Sequence, residues 1–172
     1  MRARIASIWV AGLLLVPLAA CGPADEEPED VPAPGDPEFV RDPALDVDNI
    51  SAHGEARSHN MGLNCMTCHQ AHGPGKGRFA AAGTAIGPAD VPLAGGTVEL
   101  RTAPNGQGDL VLALEIDDNG NFFSTEPLPF PDESLFPFVR APGAGGTAFM
   151  PFPTISGACN VCHVGAQRVR VE

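Results

Sequence analysis

The feature that most constrains this chain is a five-residue pattern that occurs twice. The motifs CMTCH at 65–69 and CNVCH at 159–163 each place two cysteines about one helical turn apart, with a histidine directly after the second. Together they contain four of the five cysteines, and the fifth is Cys21. The fold therefore has to accommodate the same group of two thiols and an imidazole at two places.

The spacing of these residues suits covalent attachment of a haem. The two vinyl groups of a haem react with two thiols spaced as in CxxCH, and the adjacent histidine reaches the iron. The predicted haem-binding residues are Cys65, Cys68, His69, Cys159, Cys162 and His163. His69 and His163 are the predicted proximal iron ligands. Two accidental matches are far less expected than one, so the sequence predicts two covalently attached c-type haems.

Other interpretations of the cysteines stay open. Cys65, Cys68, His69 and His72 could hold a zinc ion, although zinc motifs normally separate their cysteine and histidine pairs by about a dozen residues. The four motif cysteines could also share one zinc, which would not require a histidine after each pair. A redox-active thiol pair is expected in a βαβ setting that this sequence lacks, and two local disulfides would suit an oxidising compartment.

Four residues are candidates for the distal iron ligands. His59 and His53 precede the first motif and could fold over the far side of the first haem, and His59 is the preferred choice. His72 would share a face with His69 on a continuing helix, so it is better placed to reach a second haem. Met150, or a histidine from the N-terminal segment, is the candidate for the second haem. Histidine pairs give lower potentials than His/Met ligation, so the choice affects the direction of electron flow.

The N-terminal residues predict export and a lipid anchor. Arg2 and Arg4 precede the run "IASIWVAGLLLVPLAA", which is shorter than the roughly 20 residues of a spanning helix and is interrupted by Pro17. Residues 1–20 are therefore a predicted signal peptide. The letters "LAAC" resemble the lipobox of bacterial lipoproteins, which implies lipidation of Cys21. The expected location is the cell envelope, in the outer membrane facing the periplasm or on the cell surface.

Residues 21–50 are predicted to be the lipidated cysteine and a disordered tether. Residues 22–50 contain six prolines and ten acidic residues against one arginine, too little apolar surface to offset the entropy of ordering. The whole chain has 10 Lys and Arg against 21 Asp and Glu, a net charge of −11. Nucleic acid is therefore not an expected partner, because a polyanion requires clustered basic residues.

Residues 79–150 are predicted to form short strands. In "DLVLALEI", Leu110, Leu112, Leu114 and Ile116 fall on one face. "DDNGNFFST" predicts a hairpin with positive φ angles at Asn119-Gly120, and proline within "SLFPFVR" and "TAFMPF" favours edge strands. The predicted fold class is mainly β: a small antiparallel β-sandwich flanked by short helical haem-binding segments at 51–78 and 151–172.

Two resemblances extend this prediction. The run from "AGTAIGPADVPLAGGTVELRT" to "DDNGNFFS" resembles the carboxypeptidase regulatory-like β-sandwich, which implies a fold and no activity. "HNMGLNCMTCHQAHGPGKG", the strands and "SGACNVCH" together resemble exported bacterial multihaem cytochromes in which a small sandwich is bracketed by haem motifs. That resemblance spans 59–165 and implies haem attachment at the six motif positions.

The expected function is electron transfer by a lipid-anchored, exported dihaem cytochrome, with redox proteins of the cell envelope as partners and no enzymatic activity of its own. One alternative is a small haem enzyme, which needs an open iron site and a shielded pocket that so short a chain is poorly able to build. Another is an envelope binding module in which the haems serve sensing or assembly. The spin state of the oxidised haems separates electron transfer from catalysis.

Overall fold

The computed structural model describes residues 32–33 and 35–172. The predicted signal peptide, Cys21 and residues 22–31 of the predicted tether lie outside the described residues. In the described part the chain forms strands β1 (Ala81–Ile86), β2 (Thr97–Arg101), β3 (Leu110–Glu115), β4 (Asn121–Ser124), β5 (Phe136–Arg140), β6 (Thr147–Phe149), β7 (Gly157–Ala158) and β8 (Val169–Arg170). Short 3₁₀ turns occupy Pro43–Leu45, Cys65–Thr67, Pro88–Asp90, Cys159–Val161 and Gly165–Gln167. Within this part, no helix has the length and apolar character to cross a membrane.

The strands form two sheets that pack face to face. One sheet has the order β3-β2-β5-β6 and is antiparallel throughout. In the other, β1 pairs with β4 antiparallel and with the short strands β7 and β8 in parallel. The core between the sheets includes Ala81, Ala85, Phe122, Val98, Leu100, Leu114 and Val139. This confirms the predicted fold class, a small, mainly antiparallel β-sandwich flanked by short helical segments that carry the CxxCH motifs.

Strand β1 lies at the centre of the arrangement. All six of its residues are buried, and successive side chains of a strand point to opposite faces. Ala81 and Ala85 belong to the sandwich core, whereas Ala82 belongs to a second cluster with Phe79 and Phe123. That second cluster is covered by Cys65 and Met66 of the first motif. Small residues along β1 therefore allow close packing on both of its faces.

The alternation predicted in β3 is confirmed in part. Leu112 and Leu114 are buried, but Leu110 is 51% exposed. The register between β2 and β3 shifts between Leu100 and Arg101, so that Leu110 lies beyond a bulge. A bulge adds one residue to a strand and turns the residues beyond it to the other face.

The predicted hairpin at 117–120 is wrong. The turn forms, with Asp117 Oδ1 accepting from the backbone N–H of Asn119 at 3.0 Å and of Asn121 at 2.9 Å. However, β4 pairs with β1 and β3 pairs with β2, so the turn carries the chain from one sheet to the other. Of the predicted pair, Gly120 alone has a positive φ, at 76°. Alternation identifies a strand but does not specify its partner.

The prediction that both proline-containing strands are edges holds for β6 and is wrong for β5. β5 lies between β2 and β6, although it contains Pro137. The carbonyl of Pro137 accepts from Met150 N at 3.1 Å, just beyond the end of β6. Because the N–H and C=O of one strand residue point to the same side, the donor missing from proline falls opposite Met150, just beyond the last residue of β6, and the pairing with β2 is kept.

Residues 41–50, assigned from the sequence to the tether, pack against the loop that follows the first motif. The guanidinium of Arg41 donates to the carbonyls of Gly73 and Gly75 and pairs with Asp46 at 2.8 Å. Gly77 N donates to Leu45 O at 2.7 Å. The ordered domain therefore begins before the predicted boundary at residue 50, because the one cation of the acidic segment satisfies carbonyl groups of a glycine-rich loop.

Candidate functional site

The first CxxCH motif folds into a single 3₁₀ turn. The side chain of Asn64 caps this turn by accepting from Met66 N at 3.2 Å. The backbone N–H groups of Cys68 and His69 both donate to Cys65 O, at 3.2 and 3.0 Å. Cys65, Cys68 and His69 all line one cavity.

The second motif repeats this conformation. Cys162 N and His163 N donate to Cys159 O at the same 3.2 and 3.0 Å. The backbone angles of the second cysteine are φ −100° and ψ −33°, against −103° and −34° in the first motif. All four motif cysteines are free thiols in this fold. The two motifs therefore present the same chemical group in the same way.

His69 is held in one tautomer by backbone carbonyls. Its Nδ1 lies 2.8 Å from Lys76 O and 3.3 Å from Gly77 O. A carbonyl only accepts hydrogen bonds, so Nδ1 carries the proton and the lone pair is on Nε2. Burial lowers the pKa of His69, which favours the neutral imidazole that binds metals. Such a carbonyl contact is the usual way in which proteins orient a metal-binding histidine.

The glycines of the loop at 73–77 allow this contact. A Cβ added to Gly75 would lie 2.7 Å from the His69 ring, and the backbone N of Gly75 donates to Cys68 O at 2.8 Å. The spacing of the motif residues does not predict this role for the loop. Three glycines at alternate positions, 73, 75 and 77, begin four residues after His69 and are the signal that points to it.

The imidazole of His163 is held in the same tautomer by a different loop. Its Nδ1 lies 2.8 Å from Gln167 O, four residues further along the chain. The lone pair is again on Nε2. Two loops of unlike sequence therefore fix the same tautomer after both motifs.

The first motif opens on a cavity of about 800 Å³. Its lining includes Cys65, Cys68, His69 and His59. The ring centroids of His59 and His69 are 6.1 Å apart, with an interplanar angle of 34°. His69 also stacks on Phe79 at 4.0 Å between centroids, and Phe79 stacks on Phe123 at 4.9 Å. The cavity therefore has an aromatic wall, two thiols and two imidazoles.

The second motif opens on a separate cavity of about 280 Å³. Its lining includes Cys159, Cys162, His163 and Met150. The remaining lining residues are chiefly apolar and include Val98, Phe122, Val139, Phe149 and Val161. Each motif thus has its own cavity.

The structure brings two of the four predicted distal candidates to a motif and leaves the other two apart. His59 lines the first cavity and Met150 lines the second. His53 lines neither cavity, and its Nε2 lies 3.1 Å from Gly96 O. His72 is exposed and also lines neither.

A buried polar network joins the two motif segments across β1. The side chain of Asn160, inside the second motif, accepts from Thr84 N at 3.0 Å and donates to Leu63 O at 2.8 Å, two residues before the first motif. Thr84 Oγ1 donates to Asn121 Oδ1 at 2.7 Å, and Asn121 Nδ2 donates to Ser58 Oγ at 2.9 Å. Sequence analysis missed this network because Asn160 occupies a variable position of CxxCH.

The two motifs contact neighbouring residues of β1. Cys65 packs on the cluster that contains Ala82, and a Cβ added to Gly83 would lie 2.8 Å from Cys159 Cβ. Ala82 and Gly83 point to opposite faces of the strand. The two ends of the domain therefore meet on a single strand.

The pKa values of the thiols bear on whether the cysteines form a redox-active pair. Burial raises the pKa of Cys159 to about 12 and also raises that of Cys65. A redox-active pair instead requires a lowered thiol pKa. Among residues 32–33 and 35–172, no three His, Cys, Asp or Glu side chains converge as a group that could hold a metal ion.

Comparisons of the chain with protein-family models, with curated proteins and with solved structures gave no match. The resemblances to multihaem cytochromes and to the carboxypeptidase regulatory-like sandwich therefore stay predictions.

Proposed function

We propose that this chain is an exported, lipid-anchored dihaem c-type cytochrome that transfers single electrons between redox proteins of the cell envelope. The observation that supports this most is the repetition of one geometry. Both CxxCH motifs form the same turn, both histidines have Nδ1 bound to a backbone carbonyl, and each motif opens on its own cavity.

The residues of both cavities suit a haem. Each of the two thiols of a motif would add across one vinyl group, forming one sulfur–carbon bond and placing the thiol hydrogen on the other vinyl carbon. Aromatic and aliphatic side chains suit the apolar macrocycle. Arg57 and Lys76 line the first cavity and Arg170 lines the second. Arg57 pairs with Glu55 and Arg170 pairs with Asp90, so a propionate carboxylate would share these two cations with carboxylates of the chain. These residues come from a chain in which acids outnumber bases by 21 to 10.

The protein's part is to hold, orient and shield the cofactor. When bound, the haem iron supplies the one-electron redox change. His69 and His163 would donate their Nε2 lone pairs to it, and the carbonyls of Lys76 and Gln167 fix the orientation of each ring. Strand β1, buried on both faces, gives the two motifs a rigid common support.

The proposed anchor places this domain at a membrane. Lipidation of Cys21 would attach the chain, and the acidic residues that follow would act as the spacer between the lipid and the folded domain. The net charge of −11 favours basic surfaces on redox partners over nucleic acid.

The proposal is tested with paired cysteine variants made in a host that matures c-type cytochromes. We expect C65A/C68A to lose one of two covalent haems and C159A/C162A to lose the other, as measured by absorbance per mole of protein. His72→Ala, outside both cavities, is the matched control and should retain two. In the wild type both haems should be low-spin and should be reduced reversibly. Unchanged haem content in the double variants would contradict the proposal, and a high-spin ferric haem in the wild type would favour a haem enzyme instead.

A further inference from the structure

We propose that the two haems have different distal ligands, His59 on the first and Met150 on the second. The second haem then has the higher potential, and electrons pass within the chain from the first haem to the second. This inference rests on the proposed function.

His59 is assigned as the distal ligand of the first haem because of its position relative to His69. A metal ion that takes one imidazole nitrogen from each side, at about 2 Å, places the ring centroids roughly 6 Å apart. The His59 and His69 centroids are 6.1 Å apart, and both rings line the cavity that contains Cys65 and Cys68. The pair therefore already has the separation that a shared iron requires.

The backbone around His59 is fixed to the sandwich. Asn119 Nδ2 donates to Ser58 O at 2.8 Å, and Asn121 Nδ2 donates to Ser58 Oγ at 2.9 Å. Asn60 follows with a left-handed φ of 55°. These contacts hold the backbone of His59 at the cavity, and its side chain is exposed.

The second assignment follows from which ligands the second cavity contains. All five histidines of the chain are among the described residues, and His163 alone of them lines this cavity. Met150 is the one methionine in its lining. A thioether is a soft ligand of the kind that pairs with histidine on the iron of many c-type haems. The backbone N of Met150 donates to Pro137 O at 3.1 Å, which fixes its position beside β5.

Unlike ligand sets give the two haems unlike potentials. Methionine in place of histidine raises the potential of a c-type haem. The electron on a half-reduced molecule therefore resides on the second haem. The two motifs contact adjacent residues of one strand, Ala82 and Gly83 of β1, so the proposed donor and acceptor sites share one rigid support.

The inference is tested on the full chain by near-infrared magnetic circular dichroism of the ferric protein and by potentiometric titration. The wild type should show one His/Met and one bis-histidine signal and two separate one-electron steps. Met150→His should remove the His/Met signal and should lower the higher of the two midpoint potentials towards the lower one. Met61→Leu, which changes an exposed methionine outside both cavities, should leave both steps in place.

His59→Ala should convert the first haem alone to a high-spin form while both haems remain attached, and His72→Ala should change neither. Two attached haems with two bis-histidine signals, or a Met150→His variant with wild-type steps, would overturn the inference and leave the proposed function standing. Failure to attach any haem would instead overturn the proposed function.

Discussion

At the scale of single residues, Gly75 controls the position of His69. Its missing side chain leaves the space in which the imidazole lies, 2.7 Å from where a Cβ would be. Sequence alone predicts a haem-binding role for the cysteines and histidines of the motifs, because CxxCH spacing suits haem attachment. It could not identify Gly75, because the contact depends on how the loop folds back.

We expect Gly75→Ala to displace the imidazole and to lower stability by about 1–3 kcal/mol through overpacking. The first haem should lose its low-spin spectrum, which can be followed by electron paramagnetic resonance. Gly87→Ala is the matched control, because a Cβ there meets its nearest atom at 3.6 Å. Identical spectra and melting temperatures for the two variants would show that Gly75 has no such role.

A second residue-scale prediction concerns Thr84. Its hydroxyl donates to Asn121 Oδ1 and accepts from Asn160 Nδ2, so Thr84→Val leaves buried polar groups without partners. We expect the free energy of unfolding to fall by about 1–3 kcal/mol in denaturant titrations. Thr67→Val, at an exposed position of the first motif, should change it little. Equal stability of both variants would contradict a supporting role for the network.

At the scale of elements, the sequence located strands better than it paired them. β3 followed from alternation, since Leu112 and Leu114 face the core. The pairing of β4 with β1 did not follow, because register and partner are decided by contacts between the sheets. The central place of β5 was also missed, because the position of Pro137 relative to the end of β6 depends on which strands pair in the folded protein.

The pairing of β2 with β5 predicts an acid-sensitive contact. Glu99 pairs with Arg140 at 2.9 Å and with Arg101 at 2.5 Å. Burial raises the pKa of Glu99, but these arginines outweigh it, so the pKa lies below its ordinary value. A carboxyl with a lowered folded pKa stabilises the fold above its unfolded pKa, and this contribution is lost as the pH falls through the folded value.

We therefore expect Glu99→Gln to be less stable than the wild type near neutral pH, and the difference to shrink below about pH 4. Thermal unfolding across this range measures it, with the exposed Glu133→Gln as control. A difference that is the same at every pH would contradict the assigned role of the ion pairs.

At the scale of the whole molecule, the chain brings its two motifs from opposite ends of the domain to one strand. The motif positions and the sandwich class could be predicted from the sequence. The meeting at Ala82 and Gly83 could not, because it needs the parallel pairing of β7 with β1. The ordered structure of residues 41–50 was also missed. Their acidic, proline-rich composition predicts disorder and does not indicate that Arg41 binds carbonyl groups of the loop.

The N-terminal segment should contribute to the stability of the first site. Arg41 has a side chain that is 3% exposed and donates to the carbonyls of Gly73, Gly75 and Leu45. We expect Arg41→Ala to destabilise the domain by about 2–4 kcal/mol and to raise hydrogen exchange in the loop at 73–77. The exposed Arg168→Ala is the control. Unchanged hydrogen exchange in that loop would show that the N-terminal segment does not stabilise the first site.

The central claim is that each CxxCH motif attaches one haem. The most direct measurement is the intact mass of the protein purified from a host with cytochrome c maturation, together with its reduced pyridine haemochrome spectrum. We expect the mass of the chain plus two haems and a spectrum in which both vinyl groups of each haem are saturated. A mass without haem, or with zinc or disulfides in its place, would contradict the account.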